Sequence, residues 1–157
     1  MSDPSLLIRL AHDDDDFILG LVPRFADFEL PAWRRRHACL EGIRDALLGD
    51  LEDPPANSHL FVAEDADGER AGFIHLQKTR DFFTGRSNCH VADLAVAPRH
   101  EGRGVARALL AHAETWAREH QCQLMTLALF PGNERARALY EAAGYGIDLL
   151  RLAKPLR

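Results

Sequence analysis

The stretch from Asn88 to His120 constrains this chain more than any other. It begins with a run of strand character, Cys89 to Val96, which Pro98 ends. A charged loop with Gly102 and Gly104 follows, and then a helical pattern begins. The first N–H groups of a helix have no partner within it and attract an anion, and glycines let the backbone approach that anion closely. The stretch therefore predicts a phosphate-binding loop between a strand and a helix.

Two common phosphate-binding loops do not fit these residues. A P-loop needs Gly-x-x-x-x-Gly-Lys followed by Ser or Thr, and this stretch has none. A dinucleotide-binding fingerprint needs Gly-x-Gly-x-x-Gly, but Val105, Ala106 and Arg107 follow Gly104 where its second half should lie. The loop therefore belongs to another class of phosphate ligand.

The rest of the chain alternates strand patterns with helical patterns. Apolar residues at helical spacing indicate helices, and short apolar runs around turn residues indicate strands. The order β-α-α-β-β-β-α-β-α-β predicts an α+β fold with a mixed, mostly antiparallel sheet. The predicted elements are a strand at Leu6–Leu10, a short helix at Phe17–Phe28, a helix at Ala32–Leu48, strands at His59–Glu64, Arg70–Lys78 and Cys89–Val96, a helix from Gly104, a strand at Leu124–Phe130, a helix at Asn133–Ala143 and a strand at Tyr145–Lys154.

Composition and charge limit the class of protein. The 157 residues suit a single domain spanning 1–157, and the net charge of −5 argues against nucleic acid and is compatible with a cationic small substrate. Three cysteines without a paired spacing predict reduced thiols and a cytoplasmic protein. No apolar run approaches the roughly 20 residues of a membrane span, and the N-terminus does not resemble a signal peptide, so no membrane partner is expected.

Eight histidines and the acidic run Asp13–Asp16 raise the question of a metal site. An acidic run directly before a helix has a simpler explanation, because carboxylates cap the first turn and interact favourably with the helix dipole. We therefore expect no metal. His75 is interpreted in the same way, as a packed or hydrogen-bonded histidine. Phe82 and Phe83 in the loop Arg80–Ser87 either pack on the core or border an acceptor pocket.

Two motifs resemble those of the GNAT superfamily of N-acetyltransferases. Residues 101–106, Glu-Gly-Arg-Gly-Val-Ala, resemble its acyl-CoA loop (Gln/Arg)-x-x-Gly-x-(Gly/Ala), and they follow Leu-Ala-Val-Ala-Pro at 94–98. Residues 133–145 resemble its second signature, N-x-x-A-x-x-(L)-Y-x-x-x-G-(F/Y). The resemblance covers roughly Ile74 to Lys154. Glu101 departs from it, because the family has Gln or Arg there, and we expect Arg99, Arg103 and Arg107 to compensate its charge.

The resemblance implies a three-layer fold with six to seven strands and about four helices. It also implies acetyl transfer from acetyl-CoA to a small-molecule or peptidyl primary amine, by direct attack in a ternary complex. The alternative is a catalytically idle acyl-CoA-binding module. Relatives often dimerise, so a homodimer is an expected assembly. The implied CoA-binding residues are Leu94, Ala95, Val96, Glu101, Gly102, Arg103, Gly104, Val105, Ala106, Asn133 and Tyr140, and Tyr140 is the implied general acid.

The general base is less clearly indicated. Relatives with a base on this strand place it four or six residues before Val96, which here gives Ala92 and His90. Alanine cannot accept a proton, whereas an unperturbed imidazole titrates near neutral pH. Asp93 is the other ionisable candidate, although strand alternation turns it away from His90 unless a bulge near Leu94 to Val96 re-aims it. Glu64, His75 and a water chain remain as alternatives.

Overall fold

The computed structural model describes residues 5–156. Within that range, no helix combines the length and the apolar character needed to cross a bilayer. Short 3-10 turns at Val22–Ala26 and Pro98–His100 supplement the main elements. These elements are β1 (Leu7–Leu10), α1 (Asp15–Gly20), α2 (Arg36–Glu52), β2 (Ser58–Glu64), β3 (Arg70–Arg80), β4 (Ser87–Val96), α3 (Val105–Glu119), β5 (Leu124–Leu127) and α4 (Glu134–Ala142).

One five-stranded sheet forms the centre of the fold, with its strands in chain order from β1 to β5. The first four strands pair antiparallel with their neighbours, and short connections join β2 to β3 and β3 to β4. The β4–β5 pair is parallel because α3 lies between the two strands in the chain and returns it to the same end of the sheet. The predicted α+β class and the mostly antiparallel sheet are confirmed.

Helices cover both faces of the sheet. On one face, Leu109, Leu110 and Trp116 of α3 pack with Ile74 and Leu76 of β3, and Tyr140 of α4 joins the same cluster. On the other face, Ile18, Leu47 and Phe73 belong to a second cluster that brings α1 and α2 onto the sheet. The alternation along β3 sends neighbouring side chains to opposite layers, as expected for a strand buried on both sides.

The strand count predicted from the sequence is wrong. The sheet has five strands rather than six to seven, and Tyr145–Lys154 forms no strand. The predicted strand at Leu124–Phe130 ends at Leu127, and Leu124 is 45% exposed rather than buried. Among residues 5–156, β5 pairs with β4 alone, so it lies at an edge of the sheet and one of its flanks is uncovered, which explains the exposure of Leu124. Residues 145–154 are apolar enough for a strand, but they pair with no other strand in that range.

In the acidic run at the start of α1, Asp14 forms ion pairs instead of the predicted helix cap. Asp14 is the N-cap residue, but its side chain makes no capping hydrogen bond. Its buried carboxylate instead pairs with Arg9 at 2.7 Å and with Arg70 of β3, and it accepts the His12 N–H at 2.8 Å. Two arginines, from the strands on either side of β2, therefore bind the carboxylate that a helix cap would have used. Asp15 and Asp16 do lie in the first turn.

Candidate active site

The parallel strands β4 and β5 separate before β4 ends. Their ladder runs only from Asn88–Leu124 to Val91–Leu127, whereas the β3–β4 ladder continues to Val96. Alternate backbone groups of a strand point towards opposite neighbours, so part of the backbone of residues 92–96 faces the opening. A cavity of about 600 Å³ occupies this opening, and Leu94, Ala95 and Val96 form part of its wall.

The phosphate-binding loop lies at one end of this cavity. Gly102 and Gly104 have φ angles of 74° and 79°, a left-handed conformation that strongly favours glycine. Gly104 is the N-cap of α3, and the first intrahelical bond is donated by Ala108 to its carbonyl at 3.0 Å. The N–H groups of Val105 and Ala106 precede that bond, and both residues line the cavity. This end of the cavity can therefore hold an anion against free backbone donors.

Glu101 is neutralised by two arginines that the sequence did not indicate. Its carboxylate forms ion pairs with Arg24, from the 3-10 turn after α1, and with Arg135 of α4 at 3.0 Å. All three residues line the cavity. Two positive charges for one negative charge leave the Arg24–Glu101–Arg135 group with an excess of one positive charge, which suits a phosphate-bearing ligand.

The nearby arginines behave differently from the expectation that they would compensate Glu101. Arg99 pairs with Glu69 at 2.6 Å, and Arg103 is exposed and outside the cavity lining. Of the three arginines close to Glu101 in sequence, only Arg107 lines the cavity. Proximity in sequence therefore did not predict an ion pair with Glu101.

The loop is also fixed to the hairpin between β2 and β3. His100 is buried and its Nε2 lies 2.9 Å from Oδ2 of Asp65. The other oxygen of Asp65 accepts the N–H groups of Asp67 and Glu69, both at 2.9 Å. The hydrogen bond with His100 is the main cause that lowers the pKa of Asp65. The loop is therefore held in place before any ligand binds.

α4 forms the opposite wall. Asn133 caps this helix by accepting the Ala136 N–H at 3.3 Å, and its position also borders the cavity. Tyr140 lines the same wall, is 8% exposed, and packs edge-on against Tyr145 with the ring centroids 5.5 Å apart. Burial raises the pKa of Tyr140 to about 12. Its phenol is neutral around pH 7, as that of an ordinary tyrosine is, and can donate a hydrogen bond.

A bulge in β4 places Asp93 beside His75. The register between β3 and β4 shifts between His75 and Leu76, which pair with Asp93 and Val91, so Ala92 is the extra residue. The bulge thus lies before the predicted position near Leu94 to Val96. It turns Asp93 to the α2 side of the sheet, where Oδ2 of Asp93 lies 2.9 Å from Nδ1 of the buried His75.

The far side of the His75 ring is also occupied. Its Nε2 lies 2.5 Å from Oγ of Ser58 and 3.3 Å from Oδ2 of Asp50. Two carboxylates and a hydroxyl therefore surround one buried imidazole. Asp50 and Asp93, with His75, also line a second cavity of about 250 Å³, whose other lining residues are Gly42, Ile43, Ala46, Leu47, Gln77 and Ala92.

His90 lies on the same side of β4 but has a different partner. Its Nδ1 lies 2.9 Å from Oγ1 of Thr126 on β5. Burial is the main cause that lowers the pKa of His90, and the neighbouring charge of Asp93 opposes this effect. His90 lines neither cavity.

Most of the predicted site residues come together. All of the implied CoA-binding residues except Arg103 line the larger cavity. Phe82 and Phe83 do neither of the things predicted for them, because they are 91% and 72% exposed and lie outside both cavity linings. Sequence reasoning missed Arg24, Arg135 and Asp50, whose only sequence signal was their charge. It gave His75 only a minor place among the candidate bases.

Comparison with known proteins agrees with this geometry. The sequence profile of the Acetyltransferase (GNAT) family matches residues 22–145. The chain is 30% identical over 115 residues to an aminoglycoside N(6')-acetyltransferase type 1 from Stenotrophomonas maltophilia, an alignment that covers 66% of this chain and 75% of that protein. It is 33% identical over 100 residues to a streptothricin acetyltransferase from Streptomyces lavendulae, covering 62% of this chain and about half (51%) of that longer protein.

A solved structure is similar over nearly the whole length. It is the aminoglycoside acetyltransferase AAC(6')-Iy in complex with the bisubstrate analog CoA-S-monomethyl-acetylneamine, with a TM-score of 0.72, 22% identity, and coverage of 97% of this chain and 98% of that one. At this identity the likeness shows the fold alone. The profile match, which spans most of the chain, shows the family. The protein therefore belongs to the GNAT family of acetyltransferases, which transfer an acetyl group from acetyl-CoA to an amine.

Proposed function

We propose that this chain acetylates a small cationic primary amine by direct attack on acetyl-CoA in a ternary complex. The observation that supports this most directly is the continuity of the larger cavity. It runs from the free amides at the start of α3, past the exposed backbone at Leu94–Val96, to the hydroxyl-bearing wall at Tyr140. A diphosphate, a thioester carbonyl and a leaving thiolate each need one of these features.

The first role we propose is binding of the diphosphate. The amides of residues 102–106 would hold it, with Arg24, Arg107 and Arg135 supplying positive charge along the same cavity. The backbone of Leu94–Val96 would then meet the thioester. A backbone N–H there can donate to the carbonyl oxygen as negative charge develops on it.

The second role concerns the two protons that the amine loses. We assign the first, from the ammonium form, to Asp93, which is held by His75 and can pass charge towards Asp50 at the rim of the second cavity. The neutral amine then attacks the carbonyl carbon, and the C–S bond breaks as the intermediate collapses. The second proton, from the tetrahedral nitrogen, ends on the sulfur of CoA, with Tyr140 donating to the departing thiolate.

The third role is recognition of the acceptor. The second cavity borders Ala92 and Asp93, next to the thioester position at Leu94. Its two carboxylates favour a protonated amine, while Ile43, Ala46 and Leu47 offer apolar contact to the carbon skeleton. Two of the relatives described above are named for amine-bearing antibiotics, which supports a small-molecule acceptor over a peptidyl one.

The experiment is a thiol-release screen with acetyl-CoA over amine classes. We expect turnover with small di- and polycationic amines, slower turnover with neutral amino compounds, and none with carboxylate-rich amines such as acidic peptides. Stabilisation of the protein by CoA without thiol release over the whole panel would instead favour the alternative of an idle binding module. We also propose that the chain forms a homodimer.

A further inference from the structure

Ser58, His75 and Asp93 form a chain of hydrogen bonds beside the second cavity. Nε2 of His75 lies 2.5 Å from Oγ of Ser58, and Nδ1 lies 2.9 Å from Oδ2 of Asp93. A carboxylate can only accept, so the proton of the neutral ring is on Nδ1, and Nε2 accepts the Ser58 hydroxyl proton. A serine, an imidazole and a carboxylate joined in this order have the contacts of a catalytic triad, in which the imidazole is the base that activates the serine.

The sheet fixes the positions of these side chains. Ser58 is the first residue of β2 and lies directly opposite Gln77 of β3, and His75 lies directly opposite Asp93 of β4. Opposite residues of paired strands, and residues two apart in one strand, share a face of the sheet. His75 is only 2% exposed, whereas Ser58 is half-buried. The imidazole is therefore held in place before any substrate binds, and the hydroxyl is the more accessible end of the chain.

Two further groups provide what acyl transfer by a serine still needs. Oδ2 of Asp50 lies 3.3 Å from Nε2 of His75, where its charge stabilises the imidazolium that forms when the ring takes a proton. Gln77 lines the second cavity together with His75. Among residues 5–156, the side-chain amide of Gln77 has no hydrogen-bond partner. This amide can therefore donate to an oxyanion that forms next to Ser58.

We propose that Ser58 is a nucleophile and that this group of residues hydrolyses short-chain carboxylic esters, as a second activity of the protein. The second cavity, of about 250 Å³, has room for a short acyl group only. The reaction consumes water and needs neither CoA nor an amine, so it is independent of the proposed acetyl transfer.

The reaction has two steps. In the first, the Ser58 oxygen attacks the carbonyl carbon, Nε2 of His75 takes the hydroxyl proton, and Gln77 donates to the carbonyl oxygen as it gains negative charge. The C–O bond of the ester then breaks, the leaving alcohol receives the proton from His75, and Ser58 carries the acyl group. In the second step, water attacks this acyl-serine, and His75 transfers the water proton to the Ser58 oxygen as the carboxylic acid leaves.

Labelling of the wild-type full chain tests the nucleophile without any variant. After incubation with p-nitrophenyl acetate and an acid quench, we expect peptide mass analysis to find an acetyl group on Ser58, and a fluorophosphonate probe should modify the same residue. The matched control is Ser87, which is also half-buried and the first residue of a strand but makes no side-chain hydrogen bond within residues 5–156. It should stay unmodified. An unmodified Ser58, or equal modification of both serines, would overturn the proposal.

Steady-state hydrolysis of p-nitrophenyl acetate gives the second test, with neither CoA nor an amine present. Ser58→Ala and His75→Gln should each lower kcat/KM by about 100-fold or more, because one removes the nucleophile and the other its base. Ser87→Ala should stay within about twofold of the wild-type protein. Hydrolysis that Ser58→Ala leaves unchanged would overturn the proposal, whatever the outcome of the amine screen.

Discussion

Tyr140 lines the cavity, and we propose that its hydroxyl donates to the leaving thiolate. Its phenol is protonated at neutral pH, and burial raises its pKa further. Tyr140→Phe removes one oxygen and leaves the ring packing against Tyr145 in place. We expect kcat to fall by about 10²- to 10³-fold, with little change in KM for acetyl-CoA, because the donor acts mainly on the departing thiolate.

The neighbouring ring supplies the control for this experiment. Tyr145 is also part of the packed pair, but its hydroxyl donates to Glu114 at 3.4 Å, and Tyr145 is not among the cavity-lining residues. Tyr145→Phe should leave kcat within about twofold of wild type, as expected for a residue without contact to the reacting atoms. Equal losses in the two variants would contradict the role of Tyr140 and indicate that the pair acts through packing.

Asp93 and His90 can be separated by the pH dependence of kcat/KM. We expect Asp93→Asn to lower kcat/KM by about 10²-fold and to remove its acidic limb, because the ammonium proton then has no carboxylate to enter. His90→Ala should retain the limb. If His90 were the base, its lowered pKa would place the limb below the ordinary histidine value. Loss of the limb in His90→Ala alone would transfer the role to His90.

Glu101 places a carboxylate in the loop that we propose binds the diphosphate of CoA. In this structure the Glu101 carboxylate forms ion pairs with Arg24 and Arg135. Glu101→Gln frees both arginines for the phosphates, and we expect KM for acetyl-CoA to fall by about three- to tenfold at low ionic strength, with kcat nearly unchanged. Initial rates at two salt concentrations measure this. A raised KM would show that the carboxylate is needed to orient the arginines.

At the scale of elements, β1, α1 and β3 are joined at Asp14. Burial raises the pKa of this carboxyl, but hydrogen bonds from Arg9, the His12 N–H and Arg70 outweigh that effect and lower its pKa to about 2. The folded pKa lies below the unfolded value of about 4, so the stabilisation is complete above pH 4 and is lost as the pH falls towards 2. We expect Asp14→Asn to reduce the free energy of unfolding at pH 7 by about 2 to 4 kcal/mol.

The adjacent residue offers a matched control. Asp13 has a side chain that is 87% exposed and a φ angle of 59°, a conformation that Asn tolerates well. Asp13→Asn should change the free energy of unfolding by less than about 0.5 kcal/mol. Urea unfolding at pH 7 and pH 3 measures both variants, and the difference between Asp14→Asn and wild type should shrink at pH 3. A difference independent of pH would contradict the ion-pair account.

The elements also show how far the sequence could predict this fold. Hydrophobic periodicity and the signals at Pro98, Asn133 and Gly144 located the helices and the first four strands, because each of these signals acts within a few residues. The last strand was predicted wrongly from the same kind of pattern. Tyr145–Lys154 has a strand sequence, but a strand needs a neighbour, and the described chain supplies none for it.

The residues of the site likewise fall into those that local sequence predicts and those that only the fold brings together. The loop glycines and the N-cap at Asn133 depend on local backbone conformation, so their spacing was enough to predict them. The arginines that pair with Glu101 come from elements more than 30 residues away in either direction, and contact at such separations follows only from the fold. The bulge at Ala92 was expected nearby, but its position decides which way Asp93 faces, and that requires the pairing of β3 with β4.

At the scale of the whole molecule, the fold places three features along one opening. The crossover through α3 makes β4 and β5 parallel, and their separation after Val91 and Leu127 creates the cavity. The start of α3 faces it from one end and α4 from its side. None of these elements alone could hold both the diphosphate and the thioester, so the activity depends on the complete sheet.

A crystal structure with CoA bound at saturating concentration tests the central claim most directly. We predict that the diphosphate contacts the amides of residues 102–106, that Arg24 and Arg135 turn towards the phosphates, and that the sulfur lies between Leu94–Val96 and the Tyr140 hydroxyl. Density for CoA at any other place on the protein, or no density at all, would contradict the account.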